Sequence, residues 1–224
     1  MKYKTCVTIA ENSSNKIKQN LKIALKKSDY VEIRFDFLKI NEIPKTLEMV
    51  KNDLKKIVCT LRPKTEGGKF EGNEKERVSI LKLIAEYNPF LLDIEFNTIR
   101  KDNTLVKYLK STKTNILISK HDFKKTPNFS ELKKMMNQMI KFSLNVKIVT
   151  TAKSVDDSTR ILQLYSKKGS NNLIAFAMGD KGKISRILCL YLGSPYTYVS
   201  LGKPIVSGQF SVDEVKKIIN LKIG

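Results

Sequence analysis

Apolar residues recur along this chain in two alternating rhythms. Short runs rich in β-branched and aromatic residues occupy 4–10, 30–37, 56–62, 90–96, 115–121, 146–151, 172–178 and 196–201. They read as strands, spaced by roughly 30 residues, the length of one strand–helix unit. Between them the spacing changes to three and four. "NKIKQNLKIALKK" aligns Ile17, Leu21 and Leu25 on one face; "NEKERVSILKLIAEY" does the same with Val78, Leu81, Ile84 and Ala85. "SELKKMMNQMIKF" stacks Leu132, Met135, Met136, Met139 and Ile140, a pattern of core packing. Ser154 with Asp157, and Ser211 with Glu214, mark two helix starts. The segments after strands two, four and seven carry a weaker helical pattern.

Eight strand–helix units with no linker or change of composition between them predict a single α/β domain over 1–224, a parallel sheet closed into a (β/α)8 TIM barrel. An open doubly wound sheet is the competing architecture. No G-x-G-x-x-G follows the first strand, and "TEGGKFEG" lacks the lysine and hydroxyl of a P-loop, so neither a dinucleotide site nor that kind of phosphate site is supported.

Composition changes this picture little. The 224 residues are 41% hydrophobic and 29% charged, enough to fill a core. No apolar run reaches the roughly 18–20 residues of a membrane span, and the apolar stretch near the start is too short for a secretory signal. A cytoplasmic protein is expected. Cys6, Cys59 and Cys189 are widely separated and fit reduced thiols better than a zinc site or a disulfide framework. The net charge of +20 raises the question of nucleic acid. Its lysines are scattered and lie on the polar sides of helices, without basic–aromatic alternation, so a solvated surface is the expectation and nucleic acid is not an expected partner.

The strands themselves carry charge. In "YVEIRFDF", Glu32, Arg34 and Asp36 alternate with apolar residues, which places the three on one side of a strand. In a barrel the apolar set faces the helices and the charged set faces inward, where charge requires a polar site. Arg62 and Glu66 follow the third strand, Asp93 and Glu95 alternate in the fourth, the only histidine, His121, ends the fifth, and Lys147 lies near the start of the sixth. Catalytic groups of barrels come from the carboxyl ends of strands. A lysine held inside, near Arg34 and Arg62, would lose proton affinity and become a nucleophile for a carbonyl; a lysine reaching out to solvent fits the residues equally well.

"VEIRFDFL", "TLRPKTEGG", "LLDIEFN", "ISKHDF", "VKIVTTAKS", "AMGDKGKISR" and "GKPIVSGQFSV" together resemble type I 3-dehydroquinate dehydratases, in the order of that family and over nearly the whole chain. The resemblance implies a (β/α)8 barrel that removes water from 3-dehydroquinate through a lysine imine, in the shikimate pathway. It implies Lys147 as the imine-forming lysine, His121 as general acid and base, and Glu66 as the carboxylate that orients His121. It further implies Arg186 as partner of the substrate carboxylate, Glu32, Arg34 and Arg62 around the ring hydroxyls, and Gln209 in a lid after the eighth strand. No metal or organic cofactor is implied, and a homodimer is. Three positions depart from the usual pattern: Ile205 stands at a lid position that usually carries a small hydroxyl residue, Phe176 where methionine is common, and Thr150 with Thr151 after Lys147. The alternative is another imine-forming barrel enzyme, such as a sugar-phosphate aldolase.

Overall fold

The computed structural model describes residues 3–220. Eight parallel strands are present: β1 (Thr5–Ile9), β2 (Tyr30–Arg34), β3 (Ile57–Thr60), β4 (Leu91–Glu95), β5 (Ile116–His121), β6 (Asn145–Thr151), β7 (Asn172–Met178) and β8 (Thr197–Val199). Each pairs with its sequence neighbour from β1 to β7, and β8 pairs with β1. No ladder joins β7 to β8 among the described residues. The result is a nearly closed (β/α)8 barrel, as the repeat predicts.

Helices α1 (Ser14–Lys27), α2 (Ile43–Val50), α3 (Glu74–Glu86), α4 (Phe96–Ile99), α5 (Asn103–Thr112), α6 (Phe129–Met139), α7 (Val155–Leu162), α8 (Ser185–Tyr191) and α9 (Val212–Ile219) fill the connections. Their starts follow from local chemistry. Asn73, Asn128, Ser154 and Ser211 each accept the backbone N–H three residues on, and the acidic residue at that position returns the bond, satisfying donors a helix leaves open. In α1, Ile17, Leu21 and Ala24 are buried, while Lys16, Lys18, Lys22 and Lys26 are exposed. The lysines of this helix are therefore solvated, as expected. All three cysteines are buried and free.

Two strands differ from the sequence expectation. β2 ends at Arg34, not Phe37, because Phe35–Phe37 turns into a 3-10 segment. Asp36 thereby leaves the strand and folds back on Arg34. β6 begins at Asn145, so Lys147 is its third residue rather than sitting at its edge. At the amino-terminal ends of the strands, Tyr30 stacks on Phe90 with ring centroids 4.3 Å apart and meets Tyr196 at 5.3 Å. This aromatic layer covers the barrel floor and leaves the opposite end for polar groups.

Candidate active site

Register fixes the centre of the site. Lys147 on β6 is level with Ser119 on β5, and Ser119 is level with Glu95 on β4. His121 lies two residues beyond Ser119, on the same side of the strand. One strand spacing across and two residues along put the backbones of Lys147 and His121 about 8 Å apart, with both side chains directed inward. Both line one cavity at the carboxyl end of the barrel, together with Glu32, Arg34, Arg62 and Glu66. Arg186, Ile205 and Gln209 line it as well. All nine residues singled out in the sequence thus converge on a single cavity.

Lys147 is buried, and its Nζ lies 3.4 Å from Asp93 Oδ2 and 3.6 Å from Glu32 Oε1. The ring of Tyr198 covers it, with the centroid 3.9 Å away. Its nearest charged neighbours are carboxylates; Arg62 reaches the same oxygen of Asp93, and Arg34 lines the same cavity, so the expected cations are close by, each paired with an acid. Both arginines have carboxylate partners. Arg34 makes a two-bond pair with Asp36, both bonds 2.7 Å. Arg62 donates to Asp93 and to Glu95, each at 2.6 Å, and to Ser119 at 2.7 Å. Glu32 is oriented by Thr60, whose hydroxyl donates to it at 2.9 Å.

The network extends beyond the barrel wall. Arg77, on α3, is fully buried and donates to the second oxygen of Glu95 at 2.6 Å, to Leu61 O at 3.0 Å and to Glu74 at 2.8 Å. Burial would raise the Asp93 carboxyl, but the adjacent Arg62, Lys147 and His121 outweigh it and hold Asp93 well below the usual carboxylate range. In Glu95 burial prevails over the two arginines and moves the carboxyl upward.

His121 ends β5 beneath the loop after β3. That loop turns through Lys64–Glu66 and passes Gly67 at φ 76°, a left-handed conformation suited to glycine. A Cβ on Gly67 would meet the Phe123 ring at 2.2 Å, and one on Gly68 would meet Arg62 O at 1.9 Å. The paired glycines allow the loop to lie tightly enough for Glu66 to reach His121. Glu66 Oε2 accepts the His121 backbone N–H at 3.0 Å and lies 3.3 Å from Nδ1. Burial first, then Arg62 and Lys147, push the imidazole well below its ordinary value. The side chain is accordingly neutral at neutral pH.

Arg186 occupies the other wall. It is buried, its Nε has no hydrogen-bond partner, and its guanidinium rests 4.3 Å over the Phe176 ring. Burial lowers it to about 10. Among the described residues no carboxylate forms an ion pair with it. The loop between β8 and α9 carries the last two residues. Ile205 donates its backbone N–H to Gln209 Oε1 at 3.0 Å, so this amide is used within the loop while Ile205 lines the cavity.

Tyr198, Ser119 and Arg77 are not singled out by the sequence, although Tyr198 and Arg77 leave a signal in it. Tyr196 and Tyr198 alternate in the last strand, and Arg77 falls in line with the buried Ile80, Leu81 and Ile84 of α3. Asp93 and Glu95 were visible as an alternating pair, without an assigned use.

Fold and site together define a (β/α)8 barrel with a buried lysine and a neutral histidine in one polar cavity, facing an unpaired arginine. The sequence model of type I 3-dehydroquinase matches residues 5–223, and the chain belongs to that family. A 3-dehydroquinate dehydratase of Dehalococcoides mccartyi is 36% identical over 200 residues, covering 87% of each chain. The 3-dehydroquinate dehydratase of Pyrococcus abyssi is 37% identical over 201 residues, covering 89% of this chain and 90% of that one. The crystal structure of 3-dehydroquinate dehydratase from Geobacillus kaustophilus shares the fold at a TM-score of 0.89, with 22% identity, covering 99% of this chain and 91% of that one.

Proposed function

We propose that this protein is a type I 3-dehydroquinate dehydratase, converting 3-dehydroquinate to 3-dehydroshikimate and water. The observation that carries this beyond family membership is the division of the cavity. A buried amine and a neutral imidazole stand on one side, and on the other stands a buried guanidinium that makes no ion pair among the described residues. An arginine so placed suits a substrate carboxylate, which it can bind through two parallel hydrogen bonds.

In the proposed reaction Lys147 condenses with the C3 ketone and water leaves, giving an imine. The protonated imine withdraws electrons, so a C2 proton becomes acidic. His121, with Nδ1 turned toward Glu66, uses its other nitrogen to take that proton. The electron pair forms the C1–C2 double bond as the C1 hydroxyl departs, and His121 returns the proton to it as water. Hydrolysis of the imine consumes one water and frees Lys147. Attack requires the neutral amine, and Asp93 and Glu32 beside Nζ fix its position. Glu32, Arg34 and Arg62 would meet the ring hydroxyls, and Gln209 with Ile205 would close the lid and exclude water. No metal or organic cofactor takes part, since the imine serves as electron sink.

The same reading places the protein in the shikimate pathway, in the cytoplasm, as a homodimer without nucleic-acid or membrane partners. Exposed Ile184, Leu188, Tyr191 and Leu192 form an apolar patch on and around α8 that would supply the contact between subunits.

Absorbance of the conjugated enone should grow when purified protein meets 3-dehydroquinate, and not with sugar phosphates. No absorbance change with 3-dehydroquinate overturns the proposal; turnover of a sugar phosphate would favour an aldolase.

A further inference from the structure

Glu66 has a second partner that the reaction above does not use. Its Oε2 faces His121, while its Oε1 accepts from Lys120 Nζ at 3.0 Å and from Asn97 Nδ2 at 3.4 Å. Lys120 and His121 are consecutive in β5, so their side chains leave opposite sides of the strand. They meet the same carboxylate because Glu66 lies over the end of the strand. Glu66 is 4% exposed and the Lys120 side chain 25%, so this pair is screened less than one on the surface. We propose that Lys120 is a positioning residue that acts through Glu66, turning Oε2 toward Nδ1 and withholding part of the carboxylate's charge from the imidazole.

The remaining groups around the pair do not replace it. His121 feels Arg62 from beyond β3, Lys147 from β6, Asp93 from β4 and Arg34 from β2, and Phe123 stacks on it with centroids 6.4 Å apart. Glu66 is met by Asn97 of α4, which is neutral, and by the field of Arg62. Lys120 is thus the cation in direct contact with Glu66. A carboxylate shared with an ammonium stabilises an imidazolium less than a free one. Lys120 therefore helps keep the imidazole unprotonated, the form a base must have before it meets substrate.

This inference rests on the role given to His121 above, but its test does not require turnover. His121 is the only histidine, so its carbon-bound protons are identified in an NMR titration without assignment. Lys120→Gln keeps a donor to Oε1 and removes the charge; Lys120→Met removes both. Each should raise the His121 midpoint by about one unit, with Lys120→Met the larger, and Lys120→Arg should restore it. In a Glu66→Gln background, Lys120→Met should leave the midpoint where Glu66→Gln alone puts it. The acid limb of kcat/KM for 3-dehydroquinate should move upward with the midpoint while KM stays constant. An unchanged midpoint in Lys120→Gln, or an equal rise with and without Glu66, overturns the proposal. If the midpoint moves as expected but 3-dehydroquinate is not turned over, the proposed activity falls and the tuning stands.

Discussion

The two walls of the cavity handle charge in opposite ways. On the side built by β2 to β6, every buried cation has partners: Arg62 holds Asp93 and Glu95, Arg77 holds Glu95 and Glu74, and Lys147 lies between Asp93 and Glu32. On the side built by β7, α8 and the loop after β8, Arg186 lies over Phe176 with no acid paired to it among the described residues. Paired charges fix a geometry and cost little further desolvation. An unpaired buried charge is unfavourable in the empty protein, and its desolvation is already met when an anion arrives. The first wall is therefore suited to chemistry at fixed positions, and the second to capture.

Four substitutions test this contrast, the strongest first. Lys147→Ala should remove turnover to background, and borohydride with 3-dehydroquinate should no longer add mass to the protein. A persistent adduct would place the imine on another lysine. His121→Ala should slow turnover by about 10²–10⁴-fold while the borohydride adduct still forms, measured by intact mass and steady-state rates. Arg77→Met should lower stability in urea by about 3–5 kcal/mol, the usual cost of leaving a buried ion without its partner. Arg186→Met should act the other way on the two properties. It should raise KM by about 10²-fold, in line with loss of a desolvated charge pair, yet raise the denaturation midpoint of the free protein. A fall in that midpoint comparable with that of Arg77→Met would mean that Arg186 has a structural partner after all.

Much of the barrel was legible because periodicity is a local property. Runs of period two and stretches of period three to four place eight strands within a few residues, and Asn or Ser caps mark helix starts. Part of the convergence was also legible, since alternation assigns Glu32 to the inner side of its strand and Arg62 and His121 fall at carboxyl ends of strands, whereas Lys147 fitted an inward and a solvent-facing place equally well. What pairs with what was not legible. That depends on register between strands distant in sequence: the alignment of Glu95, Ser119 and Lys147 is what lets Asp93 stand between Lys147 and Arg62. The bend after Arg34 was missed because Phe35 and Phe37 continue an alternating pattern that the backbone abandons. Arg77 is not part of the apolar pattern of its helix, although its place among Ile80, Leu81 and Ile84 marks it as inward-facing.

The seam between β7 and β8 has a consequence for how the molecule breathes. Among the described residues β8 spans three residues, forms a ladder with β1 alone, and is extended by a single bridge from Ser200 to Ser211. Amide protons of β8 and α9 should therefore exchange with deuterium sooner than those of β5 and β6, which share ladders on both sides. The loop carrying Ile205 and Gln209 hangs on this loosely zipped stave, so that side of the mouth can yield while the staves carrying Lys147 and His121 stay clamped.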